Sequence, residues 1–263
     1  MILGISGKKQ AGKTTIANII HGEVLVNNNM AIDYNIDEQG KLIIKTTNSK
    51  GQEGWGQFDI ERKDQQFVEY AHYNMWPYVK LYNFADSLKD MCVNLFEFSP
   101  EQVYGTDEQK NETLDHIRWE NMPRFQNMNL MKKMPVDAKK SWDWREGEMT
   151  AREFMQFFGT DIMRKIHNNV WANACLNKII KEGSDLAIIA DVRFPNEVEA
   201  IKRAGGKVLR LERNVHDDNH DSETALDAEN YNHDNFWRVF DNRDVGIAET
   251  ITEVRSLLEK VEW

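Results

Sequence analysis

Short apolar runs bounded by polar or turn-forming residues recur along the chain: Ile2-Leu3-Gly4-Ile5-Ser6, Val79 to Ala85, Leu186-Ala187-Ile188-Ile189-Ala190, Lys207 to Leu211 and Trp237-Arg238-Val239-Phe240. Runs of this length that do not alternate with polar residues read as strands buried on both faces. Between them apolar residues recur at helical spacing. This predicts helices over 13–22, from Leu88, over 151–158, from Thr160, over 170–180, from Pro195 to Gly205 and over 248–261. Start and stop signals fit: Asp86 and Ser87 as caps before Leu88, Ser99 capping a helix with Pro100 first, and a capping box Thr150-Ala151-Arg152-Glu153. Gly22 and Gly159 read as helix ends, and Thr160 as the cap of the helix that follows. Strands alternating with helices predict an α/β, three-layer fold with a mostly parallel five-stranded sheet, helices on both faces, and a site at the strands' carboxyl ends.

Two stretches interrupt the alternation. After Gly22, about sixty residues pass before the next core strand, far beyond an ordinary connection. Ala31 to Ile36 and Lys41 to Lys45 flank Asp37-Glu38-Gln39-Gly40, a hairpin signal, and Gln57-Phe58-Asp59-Ile60-Glu61 alternates like a third strand, so 24–70 reads as a small β-rich insertion. Residues 104–148 read as a helical excursion with a mobile loop. Lys110, Arg118, Lys132, Lys133, Lys139, Lys140 and Arg145 interleave there with Trp119, Trp142 and Trp144, but the many acids in the same stretch argue against a nucleic-acid track. One domain spanning 1–263 is expected, carrying both additions.

Between the first strand and the first helix lies Gly7-Lys8-Lys9-Gln10-Ala11-Gly12-Lys13-Thr14, a match to the phosphate-loop pattern in its required strand-loop-helix setting. Glycines let backbone N–H groups turn around a polyphosphate, and the helix N-terminus adds partial positive charge. Lys13 would reach the β and γ phosphates and Thr14 would ligate Mg²⁺, with Gly7, Gln10, Ala11, Gly12 and Thr15 completing the ATP site.

Other residues could serve a second anionic substrate. Lys89 falls in the first turn of a helix at the sheet's carboxyl end, and Arg152, Gly159, Thr160 and Arg164 place two guanidinium groups, a hydroxyl and a close-approach glycine around one break. Asp191 ends an apolar strand, as does the second acidic group of phosphate-loop enzymes, although it could instead cap the helix at Pro195; Arg193 follows at once. His216, Asp217, Asp218, His220 and Asp221 meet no zinc-ligand spacing and read as part of a solvated mobile loop.

A formal net charge of -10 opposes binding to long nucleic acid yet leaves room for a basic pocket fitted to one mononucleotide. Cys92 and Cys175, the two cysteines, both sit among apolar residues and are expected in the core of a protein kept in a reducing cytoplasm. No apolar run reaches membrane-spanning length and no basic leader precedes the first strand, so a soluble, unexported chain is expected.

The phosphate loop, Phe84-Ala85-Asp86-Ser87-Leu88-Lys89, the stretch from Arg152 through Phe158-Gly159-Thr160-Asp161 to Arg164, Asp191-Val192-Arg193-Phe194-Pro195-Asn196-Glu197 and His220-Asp221-Ser222-Glu223 together resemble the deoxynucleoside monophosphate kinases of tailed bacteriophages. The likeness follows chain order over nearly the whole length except 24–70 and parts of 104–148. It implies ATP- and Mg²⁺-dependent phosphoryl transfer to a deoxynucleoside 5′-monophosphate in the (host) cytoplasm, and is compatible with a homodimer. On the matching positions it implies Lys13, Arg152 and Asp191 as catalytic, and Lys89, Arg152, Gly159, Thr160, Trp171, Asp191, Arg193 and Glu197 as the acceptor site. Ser87 stands where that family often has proline. Two other readings share the donor site: a kinase acting on a hydroxyl, with Asp86 or Asp191 as base, and a non-catalytic nucleotide switch.

Overall fold

Five of the apolar runs form one parallel sheet. In the computed structural model, which describes residues 1–123, 145–213 and 224–259, the chain begins with β1 (Ile2–Ser6), α1 (Lys13–Asn27), β2 (Asp33–Ile36), β3 (Leu42–Thr47), β4 (Glu53–Gln57), α2 (Gln65–Asn74) and β5 (Val79–Tyr82). There follow α3 (Asp86–Phe96), α4 (Pro100–Tyr104), α5 (Asp107–Lys110), β6 (Thr113–Arg118), β7 (Glu148–Thr150), α6 (Ala151–Gln156), a π-helical stretch (Phe157–Met163) closed by the turn Arg164–Ile166, and α7 (Val170–Glu182). The last elements are β8 (Leu186–Val192), α8 (Pro195–Arg203), β9 (Lys207–Leu211), β10 (Arg238–Phe240) and α9 (Ile247–Glu259). The chain divides into two compact units, Met1–Phe84 with Ala172–Trp263, and Ala85–Trp171.

In the first unit the strand order is β10-β9-β1-β8-β5, every pair parallel. β1 is buried along its whole length. Its alternation sends Leu3 and Ile5 into a core shared with Ile16, Ile19 and Ile20 of α1 and Val254 and Leu257 of α9. Gly4 faces the other way, where an added Cβ would lie 2.7 Å from Ile201 of α8, so the two faces are covered by different helices. Parallel strands need long crossovers, and helices on both sides remove their apolar side chains from water.

The stretch expected as a small β-rich insertion begins differently. The first helix does not end at Gly22 but runs to Asn27, because Gly22 serves packing: a Cβ there would sit 2.3 Å from the Tyr34 ring. β2, β3 and β4 form the expected antiparallel sheet, with Tyr34 opposite Ile44 and Ile36 opposite Leu42. Its third strand is Glu53–Gln57, not 57–61; it is exposed throughout, while Ile60 turns back into the core. Tyr34, Ile36 and Leu42 are buried with the residues of α1, so this sheet is part of the core. Tyr34 also donates its hydroxyl hydrogen to Glu23, which accepts from Arg255 as well, tying α1, β2 and α9 together.

In the second unit, α3 starts at Asp86 with Ala85 as its cap, two residues before the expected start and without a side-chain cap. Ser99 caps α4 through Gln102 as expected, Pro100 being first. The stretch 104–148 was expected to be a helical excursion with a mobile loop; among its described residues the short α5 and a 3-10 turn at Trp119–Asn121 are helical, but β6 is a strand and pairs antiparallel with β7, Leu114 opposite Met149. Arg118 is paired with Glu120 at 2.6 Å and Arg145 with Glu153 at 2.8 Å, so these cations of the basic-aromatic stretch neutralise local acids. Lys132, Lys133, Lys139, Lys140, Trp142 and Trp144, like the His216–Asp221 cluster and the His220-Asp221-Ser222-Glu223 motif, lie outside the described residues.

Candidate functional site

The phosphate loop owes its shape to residues that are close in sequence. Gln10 (φ 61°) and Gly12 (φ 94°) take left-handed backbone conformations, and a Cβ on Gly7 would lie 3.1 Å from Ala11 Cβ and 3.2 Å from Leu211 Cβ. A side chain at Gly7 would therefore open the loop. Lys13 Nζ donates to the carbonyl oxygens of Gly7 and Lys8, each at 2.7 Å, and so spans the loop from the first turn of α1. The Thr14 side chain is exposed. This cradle, cation and hydroxyl fit a nucleoside triphosphate with its Mg²⁺: backbone N–H groups suit phosphate oxygens and a hydroxyl suits a hard cation.

Residues distant in sequence hold the loop in place. Asn242, 6% exposed, donates Nδ2–H to the Ala11 carbonyl at 2.8 Å. Buried Arg210 donates to Ser6 Oγ at 3.1 Å and to Asp227 at 2.9 Å, and Asp227 also pairs with Lys8 at 2.9 Å. Sequence reasoning did not single out Asn242 or Asp227; Asp227 falls in the Asp-, Asn- and His-rich stretch 214–235 that reads as solvated loop. Beside the loop opens a cavity of about 390 Å³, within the range of small-molecule sites, lined by Lys13, Thr14, Thr15, Asn242 and the hairpin tip Glu38-Gln39-Gly40. The hairpin residues were likewise missed, because nothing local to 37–40 signals a ligand.

At the end of β8, Asp191 precedes Val192, which pairs with Ser6 at the start of the loop. Asp191 Oδ1 accepts from the Phe84 N–H at 3.0 Å, holding the end of β5, and is not the cap of α8. Glu197 caps that helix instead: it is 2% exposed, and its Oε2 accepts from the N–H groups of Arg193 (2.8 Å) and Phe194 (3.1 Å).

The second unit places the other expected residues. Lys89, in the first turn of α3, lies 4.7 Å from the centre of the Tyr104 ring. Arg152 follows the capped start of α6 and pairs with Asp107 at 2.5 Å. Gly159 does not end the helix and Thr160 does not cap another: both lie inside a continuous π-helical stretch. Such widened turns occur often at functional sites. A Cβ on Gly159 would lie 2.8 Å from a methyl of Leu88, and the Gly159 carbonyl accepts from the buried Trp171 Nε1–H at 3.0 Å. Thr160 is exposed and Arg164 half-buried. Both cysteines are buried thiols, and burial pushes Cys92 up to about 12, leaving it protonated and inert. Among the described residues no cluster of His, Cys, Asp and Glu could hold a metal, and no helix is long and apolar enough to cross a membrane.

A five-stranded parallel sheet that carries a phosphate loop after its central strand, with a strand-end aspartate on the neighbouring strand, defines a phosphate-loop nucleotide enzyme. The family profile for deoxynucleotide monophosphate kinase matches residues 1–234, and the chain belongs to that family. A protein of Acanthamoeba polyphaga mimivirus, named provisionally as a deoxynucleotide monophosphate kinase, is 32% identical over 158 residues, 55% of this chain and 67% of the relative. The deoxynucleoside-5′-monophosphate kinase of Escherichia phage T5 is 30% identical over 100 residues, 38% of each chain. The resemblance seen in the motifs thus extends to a family, and the chain is a kinase.

Proposed function

We propose that the enzyme transfers the γ-phosphoryl group of ATP to a deoxynucleoside 5′-monophosphate, with Mg²⁺, in the cytoplasm. The observation that carries this reading is the phosphate loop, whose Lys13 and helix-terminal Thr14 sit at the mouth of a nucleotide-sized cavity in a chain of this family. When bound, Mg²⁺ would neutralise charge on the β and γ phosphates, held through the Thr14 hydroxyl. Lys13 would leave the Gly7 and Lys8 carbonyls to follow the charge that develops on the transferred group. The loop's N–H groups would hold the donor phosphates in line. The acceptor's phosphate needs cations, and Arg152 and Lys89 would supply them, with Gly159, Thr160 and Trp171 as its wall. Asp191, Arg193 and Glu197 complete the proposed acceptor set, Glu197 fixing the backbone at Arg193. No strong base is required, since the attacking oxygen already belongs to an ionised phosphate, and alignment supplies most of the acceleration.

The test is ADP production from ATP and Mg²⁺ against paired deoxynucleosides and their 5′-monophosphates. Turnover with the monophosphates and none with the nucleosides supports the reading. Phosphorylation of a nucleoside with its monophosphate inert would place the enzyme among the hydroxyl kinases instead.

A further inference from the structure

One wall of the cavity beside the phosphate loop comes from the β2–β3 hairpin. The tip is built to hold one shape: Asp37 Oδ1 accepts from the N–H groups of Gln39 at 2.9 Å and Lys41 at 2.8 Å, and Gly40 has φ 78°. The tip is also locked to α1. Asn18, buried, donates Nδ2–H to the Gly40 carbonyl at 2.8 Å, and a Cβ on Gly40 would lie 2.3 Å from Thr15 Oγ1, so only glycine lets the turn sit this close. Glu38 and Gln39 are thereby left exposed on the cavity wall.

The chemistry of that wall is wrong for phosphate. A carboxylate beside a polyphosphate repels it, so Glu38 belongs to a part of the cavity that receives something neutral and rich in hydrogen-bond donors. Phosphates are drawn to Lys13 and the N–H groups of the loop, which leaves the hairpin's share of the cavity lining for the nucleoside attached to them. A carboxylate and a carboxamide match vicinal hydroxyl groups there, and Val245 and Ile247 add apolar surface to the same cavity. We infer that the hairpin tip is the nucleoside-recognising wall of the donor site, with Glu38 and Gln39 hydrogen-bonding the ribose hydroxyls of the nucleotide whose phosphates the loop holds. The inference rests on the donor-site reading above and gives the β2–β4 sheet a role, that of carrying a specificity element to the mouth of the phosphate loop.

The experiment is calorimetric titration of the full chain with ADP, 2′,3′-dideoxy-ADP and tripolyphosphate, for the wild type, Glu38→Ala and Gln39→Ala. Both changes are at exposed turn positions, so folding is retained; circular dichroism checks this. Wild type should bind ADP more tightly than dideoxy-ADP. Glu38→Ala should weaken ADP roughly tenfold or more, the value of a charged hydrogen bond, while dideoxy-ADP stays within about twofold and tripolyphosphate binds as well or better. Gln39→Ala should act in the same direction by a smaller factor. ADP affinity unchanged in both variants, or dideoxy-ADP falling as far as ADP, overturns ribose recognition while leaving the phosphate loop as the donor site. Failure of the wild type to bind either ADP or tripolyphosphate removes the donor site, and the inference with it.

Discussion

The phosphate loop and the π-helical stretch each contain a glycine that admits a close neighbour, yet they are made in opposite ways. In the loop the crowding is backbone against backbone and Cβ: Gly7 lies against Ala11 and Leu211, and positive φ angles at Gln10 and Gly12 set the curve. The curve of the cradle is set within eight consecutive residues, and distant residues such as Asn242 hold it in place. In the π-helical stretch Gly159 has no positive φ and yields only to the end of the Leu88 side chain, while its carbonyl is taken by Trp171 and the cation Arg152 is taken by Asp107. A backbone cradle keeps its donors whatever it binds. A side-chain site must first exchange partners, so its affinity is a difference between two sets of contacts.

The largest test of this contrast removes the cation from the preformed side. Lys13→Met should lower kcat by about a hundredfold or more in a protein that still folds, because glycines and positive φ set the loop's curve while the ammonium group supplies the charge at the transferred phosphoryl group. Near-normal turnover in the folded variant would show that the loop is not the donor site. On the exchangeable side, Arg152→Ala should raise KM for the monophosphate roughly ten- to a hundredfold while leaving KM for ATP nearly unchanged. Equal losses for both substrates would mean that Arg152 supports the fold and not the acceptor.

A third test asks how rigid the helix behind the loop is. His21 of α1 is fully buried, and desolvation lowers its imidazole to about 4 despite the hydrogen bond with the Ala17 carbonyl. Its folded value lies below the unfolded one, so the unfolded chain takes the proton first and stability rises with pH from about 4 to 6.5. Moving from pH 7 to pH 5 should therefore cost about 2 kcal/mol more in wild type than in His21→Gln, measured by urea unfolding. An equal loss in both would mean that α1 opens enough to hydrate the imidazole. The smallest effect is expected from Asp107→Asn, which releases Arg152 from a partly exposed pair: KM for the monophosphate should fall by no more than about fivefold, the range of surface ion pairs. A rise in KM would show that Asp107 orients Arg152 and does not compete for it.

What could be read from the sequence divides along the same line. The five core strands, the phosphate loop, the Ser99 cap and the capping box at Thr150 are specified by neighbours in sequence, and the structure has them where the pattern puts them. Glycines were misread wherever their reason was tertiary: Gly22 makes room for the Tyr34 ring and Gly159 for Leu88, and a stop signal looks the same in one dimension. Among the described residues of 104–148 the strands β6 and β7 were missed, because they find their partners only across the intervening residues. Asp191 showed as a strand-end carboxylate, but its hold on Phe84 did not, nor did the anchoring of the loop by Asn242. The hairpin itself was evident from Asp37-Glu38-Gln39-Gly40, whereas its place at the cavity depends on the contacts of Asn18 and Thr15 with Gly40.

The position of β1 at the centre of the sheet has a consequence for how the chain is made. It leaves the ribosome well before the strands it pairs with, Ile2 with Ala187 and Leu3 with Lys207, so neither edge of β1 is covered until β8 and β9 have been synthesised. Contacts this far apart in sequence slow folding, since the loop must close before the pairing repays it. During translation the apolar faces of β1 and α1 have only α2, β5 and the β2–β4 sheet as cover. The nascent chain is therefore a natural client for chaperones, and truncation before β9 should yield an insoluble product, not a smaller working enzyme.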